Sequence, residues 1–187
     1  MTDAARVVVI GVGNPSRGDD ALGPRLLERI ADAYPALATV CDFQLQVEHA
    51  LDLRGADLAF FIDAAMNLDV PYRLSELEAR GTVPVFSHAL SPQAVLAVYA
   101  SVEGSAPPPS FMLAVRGQDF ELGSSLSAVG SAALESAWLL VGELLSAPVP
   151  ELWRRAASAG AADVRPEKSR VRPCQRLETG SRDSCRD

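Results

Sequence analysis

Cysteine and histidine are scarce in this chain, with three of the first and two of the second among 187 residues. Cys41 stands in the body, while Cys174 and Cys185 stand near the end. An odd count without CxxC spacing excludes a disulfide framework and a ready-made cysteine zinc site. With only His49 and His88 to pair with it, Cys41 is a poor candidate for a peptidase nucleophile. Long apolar runs are also missing. Runs such as 58–62 and 137–141 fall far short of the roughly 20 residues that cross a bilayer, so no membrane span is expected. The opening MTDAARVVVIG has neither a basic region before a long apolar core nor a small-residue cleavage site, so the chain is expected in the cytoplasm.

Positive charge is short over most of the length. The net charge is −7, yet nine basic residues face six acidic ones after Ser146, so residues 1–146 carry about −10. Such a body argues against a nucleic-acid partner, because phosphate is bound through basic surface. What is present is enough apolar content, 48%, for one real core. After Trp153 large apolar residues almost vanish, and Pro, Ser, Gly and Arg follow without period. The expectation is therefore one domain over residues 1–146 and a disordered basic tail over 147–187.

Within 1–146, short apolar runs alternate with amphipathic segments, which predicts an α/β three-layer fold with a mostly parallel central sheet flanked by helices. Strands are expected at 6–11, 39–47, 58–63, 82–86 and 111–115. Helices are expected at 22–34, 91–102 and 127–145, the second opened by Ser91 as N-cap and Pro92 at its first position. The continuous apolar character of RVVVIG and LAFFID suits central strands covered on both faces. In 39–47 and just beyond, Gln44, Gln46 and Glu48 alternate with Phe43, Leu45 and Val47, so a continuing strand would carry its polar set on one face, lining a cleft for an extended peptide.

Function in such folds collects beyond the carboxyl ends of the strands. Three polar groups meet that rule: the loop GNPSRGDD after the first strand, Asp63 ending the third, and His88 following the fourth. The loop, read in full as GVGNPSRGDDALG, resembles a dinucleotide fingerprint but fails in detail. The third small position is Ser16, and Asp19 and Asp20 stand at the helix entry, where they compete with a phosphate for its positive end. Two readings stand for Asp20, a helix N-cap and a metal ligand, since carboxylates and an imidazole together suit nickel or zinc. Asp19 reads more naturally as a cap, and Asn14 as a residue that holds the turn. His49 reads as a helix-entry or packing residue, or an extra ligand. Arg17 reads as a solvated loop residue or a contact to acidic groups of a substrate.

The series GVGNPSRGDDALGPRLLERI, FFIDAA and FSHALSPQAVLAVY resembles the nickel-iron hydrogenase maturation endopeptidases over about residues 6–145, with FQLQVEHALDL closest to the branch that serves soluble, cofactor-reducing hydrogenases. The resemblance implies a hydrolase, described in that family as an aspartic-type endopeptidase, that removes the C-terminal extension of a hydrogenase large-subunit precursor once nickel is installed. It places the metal-contacting residues at Asp20, Asp63 and His88, with Asp20 shorter than the glutamate of some relatives. Gly13, Asn14, Asp19, Gln46 and Glu48 become loop and substrate-contact candidates. The nickel would be supplied by the precursor, with no permanent metal, since no HExxH helix is present. A monomer is expected, with the precursor as partner. The other readings are a non-cleaving nickel checkpoint or chaperone, and a nucleotide-binding regulator.

Overall fold

A computed structural model describes residues 5–79 and 90–162. The expected strand at 82–86 and His88 lie outside the described residues.

Three of the expected strands form much where their apolar runs stand. They are β1 (Val7–Val12), β3 (Leu58–Ala65) and β5 (Ser110–Arg116), with β2 (Ala38–Asp42) beyond β1 at one edge. The sheet order is β2-β1-β3-β5-β4, in which β4 (Tyr72–Leu77) is antiparallel to β5 and all other pairs are parallel. This confirms the mostly parallel three-layer α/β architecture. β4 escapes a sequence reading because an edge strand buries little. In YRLSEL only Leu74 and Leu77 are buried, and an odd separation sends them to opposite faces.

Helices cover both faces. α1 (Leu22–Ala33), α4 (Ala128–Ser146) and α5 (Pro150–Ala162) pack with Val7, Val9, Phe60, Ile62, Phe111 and Leu113. α2 (His49–Asp52) and α3 (Pro92–Glu103) pack with Val8, Ile10, Ala59 and Phe61. Consecutive residues of β1 and β3 thus enter opposite cores, which is why both strands read as unbroken apolar runs. Two helix starts are legible in the sequence. Ser91 Oγ accepts the Ala94 amide at 3.2 Å, and Ser127 Oγ accepts the Gly130 amide at 2.9 Å. α4 is long and apolar enough by composition to cross a membrane, but its inward face, from Gly130 through Leu134 and Ala137 to Leu145, lies against the sheet.

Two expectations are corrected. β2 ends at Asp42 rather than continuing to 47, so Gln44, Gln46 and Glu48 do not line one face of a strand. Asp42 Oδ1 takes the Phe43 amide at 2.6 Å and His49 Nδ1 takes the Gln46 amide at 2.9 Å, so these donors leave the ladder. The domain does not stop at 146 either. α5 returns Trp153 to the core, fully buried, with ring centroids 4.9 Å from Phe60 and 5.3 Å from Phe111. Its indole N–H donates to the Leu144 carbonyl at 2.9 Å, and outside the core Arg154 pairs with Glu76 of β4 at 2.7 Å. Among the described residues of α5 one large side chain carries this packing, with Ala156 and Ala157 beside it, too little for a periodic pattern to register.

Candidate functional site

The loop joining β1 to α1 is shaped by glycines. Gly13 has φ 138°, and a Cβ there would fall on the Asp20 carbonyl oxygen. No other residue type lets the loop fold back so tightly. Gly23, in the first turn of α1, faces the β1 backbone so closely that a Cβ would fall on the Val12 carbonyl oxygen and lie 3.0 Å from that of Ile62. Both obstacles are backbone, so Gly23→Ala is expected to push α1 off the sheet and cost about 1–3 kcal/mol, as overpacking does. A thermal melt reads this as a midpoint lowered by several degrees.

The loop then closes on itself. Asn14 Oδ1 accepts the Ser16 amide at 2.9 Å, as its expected turn-holding role requires, and the Asn14 amide donates to Asp20 Oδ2 at 3.0 Å. Asp20 caps no helix. A 3-10 turn (Gly18–Ala21) precedes α1, whose N-terminus has no side-chain cap at all. The Asp20 carboxylate is instead held at the loop mouth, half-buried. Asp63 comes up beside it in β3, also half-buried, with Oδ1 taking the Ala64 amide at 2.7 Å. Burial pushes the Asp63 carboxyl up to about 6, and the nearby negative charge of Asp20 adds to the rise, while the Ala64 hydrogen bond opposes it. The two acids therefore share one rim and feel each other. Among the described residues no three His, Cys, Asp or Glu side chains are grouped to hold a metal ion.

Asp19 is not a rim contact, contrary to its place among the substrate-contact candidates, and it does not cap α1. It is 0% exposed. Its carboxylate accepts the Gln118 amide at 2.7 Å, the Asp119 amide at 3.0 Å, the Ser127 amide at 2.8 Å and the Ser127 hydroxyl at 2.6 Å. Burial alone would raise its pKa, but these four donors outweigh burial and hold it below the ordinary carboxylate value. The reach of residues 117–127 to this site is not foreseeable from the sequence. The only signal is the run GQDFELGSSLS, rich in turn residues, before the last helix.

Gln46 and Glu48 are exposed beside α2, where with Asp42, His49, Leu51 and Asp52 they border a cavity of about 400 Å³. His49 is 5% exposed and locks the turn, with Nδ1 on the Gln46 amide and Nε2 3.7 Å from Asp42, so the packing reading of this residue holds. A second hollow of about 310 Å³ runs along Gly13, Pro15, Cys41, Asp42 and Phe43, next to the acid loop. A larger one of about 600 Å³ lies away from the rim, between β4 and α5. Arg17 donates through Nε to the Phe120 carbonyl at 2.7 Å, a loop-to-loop tie.

No known family pattern matches the sequence, and no curated protein matches it. The fold does have solved counterparts. A nickel-iron hydrogenase maturation protease, HycI, from Thermococcus kodakarensis superposes with a TM-score of 0.58 at 21% identity, covering 76% of this chain and 93% of that one. The hydrogenase maturating endopeptidase HybD of Escherichia coli gives 0.57 at 22%, covering 75% and 93%. A hydrogenase 2 maturation peptidase from a Thaumarchaeota archaeon gives 0.54 at 24%, covering 75% and 97%. The fold of this chain is thus similar to that of these solved hydrogenase maturation proteases.

Proposed function

We propose that this protein is an endopeptidase of hydrogenase maturation, one that removes the C-terminal extension of a large-subunit precursor and recognises the nickel already installed there. The observation that carries the reading is the pair Asp20 and Asp63, held half-buried on the carboxyl rim of the sheet in this fold. Two carboxylates on one rim suit a divalent cation that the partner brings, and His88 would add a nitrogen ligand. The metal belongs to the substrate. A nickel ion there would report that the precursor is loaded and would polarise a nearby peptide carbonyl.

The rim also suits an extended peptide. Phe43, Val47, Leu51 and Met66 are all exposed, and all follow the carboxyl ends of β2 or β3. An extended precursor segment crossing this end of the sheet would cover these exposed apolar side chains. The nucleotide reading weakens at the same place. The Asn14 amide that would cradle a phosphate already donates to a carboxylate, and the Asp20 carbonyl fills the space beside Gly13. As a processing enzyme of this kind the protein would work in the cytoplasm as a monomer, on one precursor.

The test is a mass measurement on the large subunit after incubation with nickel-loaded and nickel-free precursor. Shortening of the loaded form alone is expected, and His88→Ala should abolish it. Binding without shortening would make the protein a checkpoint, and equal cleavage of both forms would defeat nickel recognition.

A further inference from the structure

We infer that Asp19 is the positioning residue of this site: a buried carboxylate that sets Asp20 against Asp63 by locking the loop 13–20 onto the segment 117–127. Being 0% exposed, it touches no substrate, and whatever it does for the reaction passes through its neighbour. Only one peptide unit separates the two aspartates. Asp20 can keep its place at the loop mouth only while that unit stays fixed.

The fixing is dense. Both Asp19 oxygens are engaged, Oδ1 by the Ser127 amide and Oδ2 by the Gln118 and Asp119 amides and the Ser127 hydroxyl. The backbone adds parallel ties: the Asp19 amide to the Asp119 carbonyl at 2.7 Å, Gly18 to Ser124 at 3.1 Å, and Gly123 back to Ser16 at 2.8 Å. The pocket is also cut to the carboxylate. A Cβ on Gly130 would fall on Asp19 Oδ1, and one on Gly117 would lie 2.9 Å from the Asp19 Cβ. Since every side-chain partner is a donor, an amide in this place would turn its own N–H groups against them. The start of α4, where Ser127 is at once the cap and a donor to Asp19, thereby becomes part of the frame that aims the acid pair.

The positioning role rests on the proteolytic reading for its activity measurement but not for its structural one. Asp19→Asn and Ser127→Ala are made in the full chain. Precursor affinity, single-turnover cleavage of nickel-loaded precursor, and the Asn14 amide resonance, which reports the bond to Asp20, are measured well below each melting point. For Asp19→Asn the expected result is affinity for nickel-free precursor within about threefold of wild type, cleavage of nickel-loaded precursor slowed roughly 100-fold as for a misplaced group at the site, and a shifted Asn14 amide. Ser127→Ala should move the same readings in the same direction by less, and it carries the test if Asp19→Asn does not fold. A folded variant with wild-type cleavage, or rate and affinity falling together in proportion to unfolding, overturns the positioning role. Should wild-type protein leave the precursor whole, the proteolytic reading fails. The Asn14 amide then decides alone: a shift in the variants upholds the role of Asp19, and an unmoved resonance overturns it.

Discussion

Ending the chain after Val149 is expected to lower the unfolding midpoint by about 10 °C or more, because it removes Trp153 from the core. The ring meets Phe60 edge-on and Phe111 at a tilt, and its loss leaves a tryptophan-sized void between the sheet and α4. The single change Trp153→Ala isolates this effect and should cost about 3–5 kcal/mol. It also leaves the Leu144 carbonyl, now the acceptor for the indole, without its partner. Calorimetry of the full chain, the chain ending at Ala162 and the chain ending at Val149 measures the effect. A midpoint unchanged by loss of α5 would contradict this packing.

Replacing Asp63 by Asn is expected to move stability and activity in opposite directions. In the folded chain the carboxyl is pushed up to about 6 from an ordinary 3.8, so the folded state holds this proton more tightly than the unfolded state. The sign follows from linkage: above pH 6 the ionised, half-buried carboxylate destabilises the fold, the penalty shrinks as pH falls through 6, and it is gone below 3.8. At pH 7.5 the penalty is at most about 3 kcal/mol, since each tenfold change in proton affinity corresponds to about 1.4 kcal/mol. Asp63→Asn keeps the Ala64 hydrogen bond and loses the charge, so it should be more stable than wild type at pH 7.5 and no more stable at pH 3.5. Precursor processing should be lost in the same protein. Denaturant titrations at the two pH values check the first part, and the mass measurement checks the second. A variant less stable than wild type at pH 7.5 would mean that the Asp63 charge is compensated in the fold. Groups kept at some cost in stability are expected where function needs them.

Part of this site is readable along the chain. Asp63 stands out at the end of an apolar strand, Asp20 by following a glycine loop after another, and Asn14 by its turn chemistry. Each is a local pattern joined to one topological rule, that parallel strands deliver their carboxyl ends to a common rim. Where local pattern misleads, a polar side chain has taken over a backbone donor. The alternation from Phe43 to Glu48 has a strand period, yet Asp42 and His49 bind the Phe43 and Gln46 amides and turn the chain out of the sheet. Asp19 and Asp20 are adjacent and chemically identical, and nothing along the chain says that one looks inward and the other toward the rim.

By itself the sequence determined strands β1, β3 and β5, helices α1, α3 and α4, the Ser91 cap, the tight β1 to α1 loop and the parallel core of the sheet. Periodicity, capping and glycine conformation are all written in contiguous residues. Only the tertiary structure decided the rest. The donors that bury Asp19 stand 99 to 108 residues further along, the aromatic rings that receive Trp153 lie on β3 and β5, and the charge that helps raise Asp63 sits on a different loop. Each of these depends on which distant groups share a desolvated space, and that is settled only when the whole sheet and its helices close together.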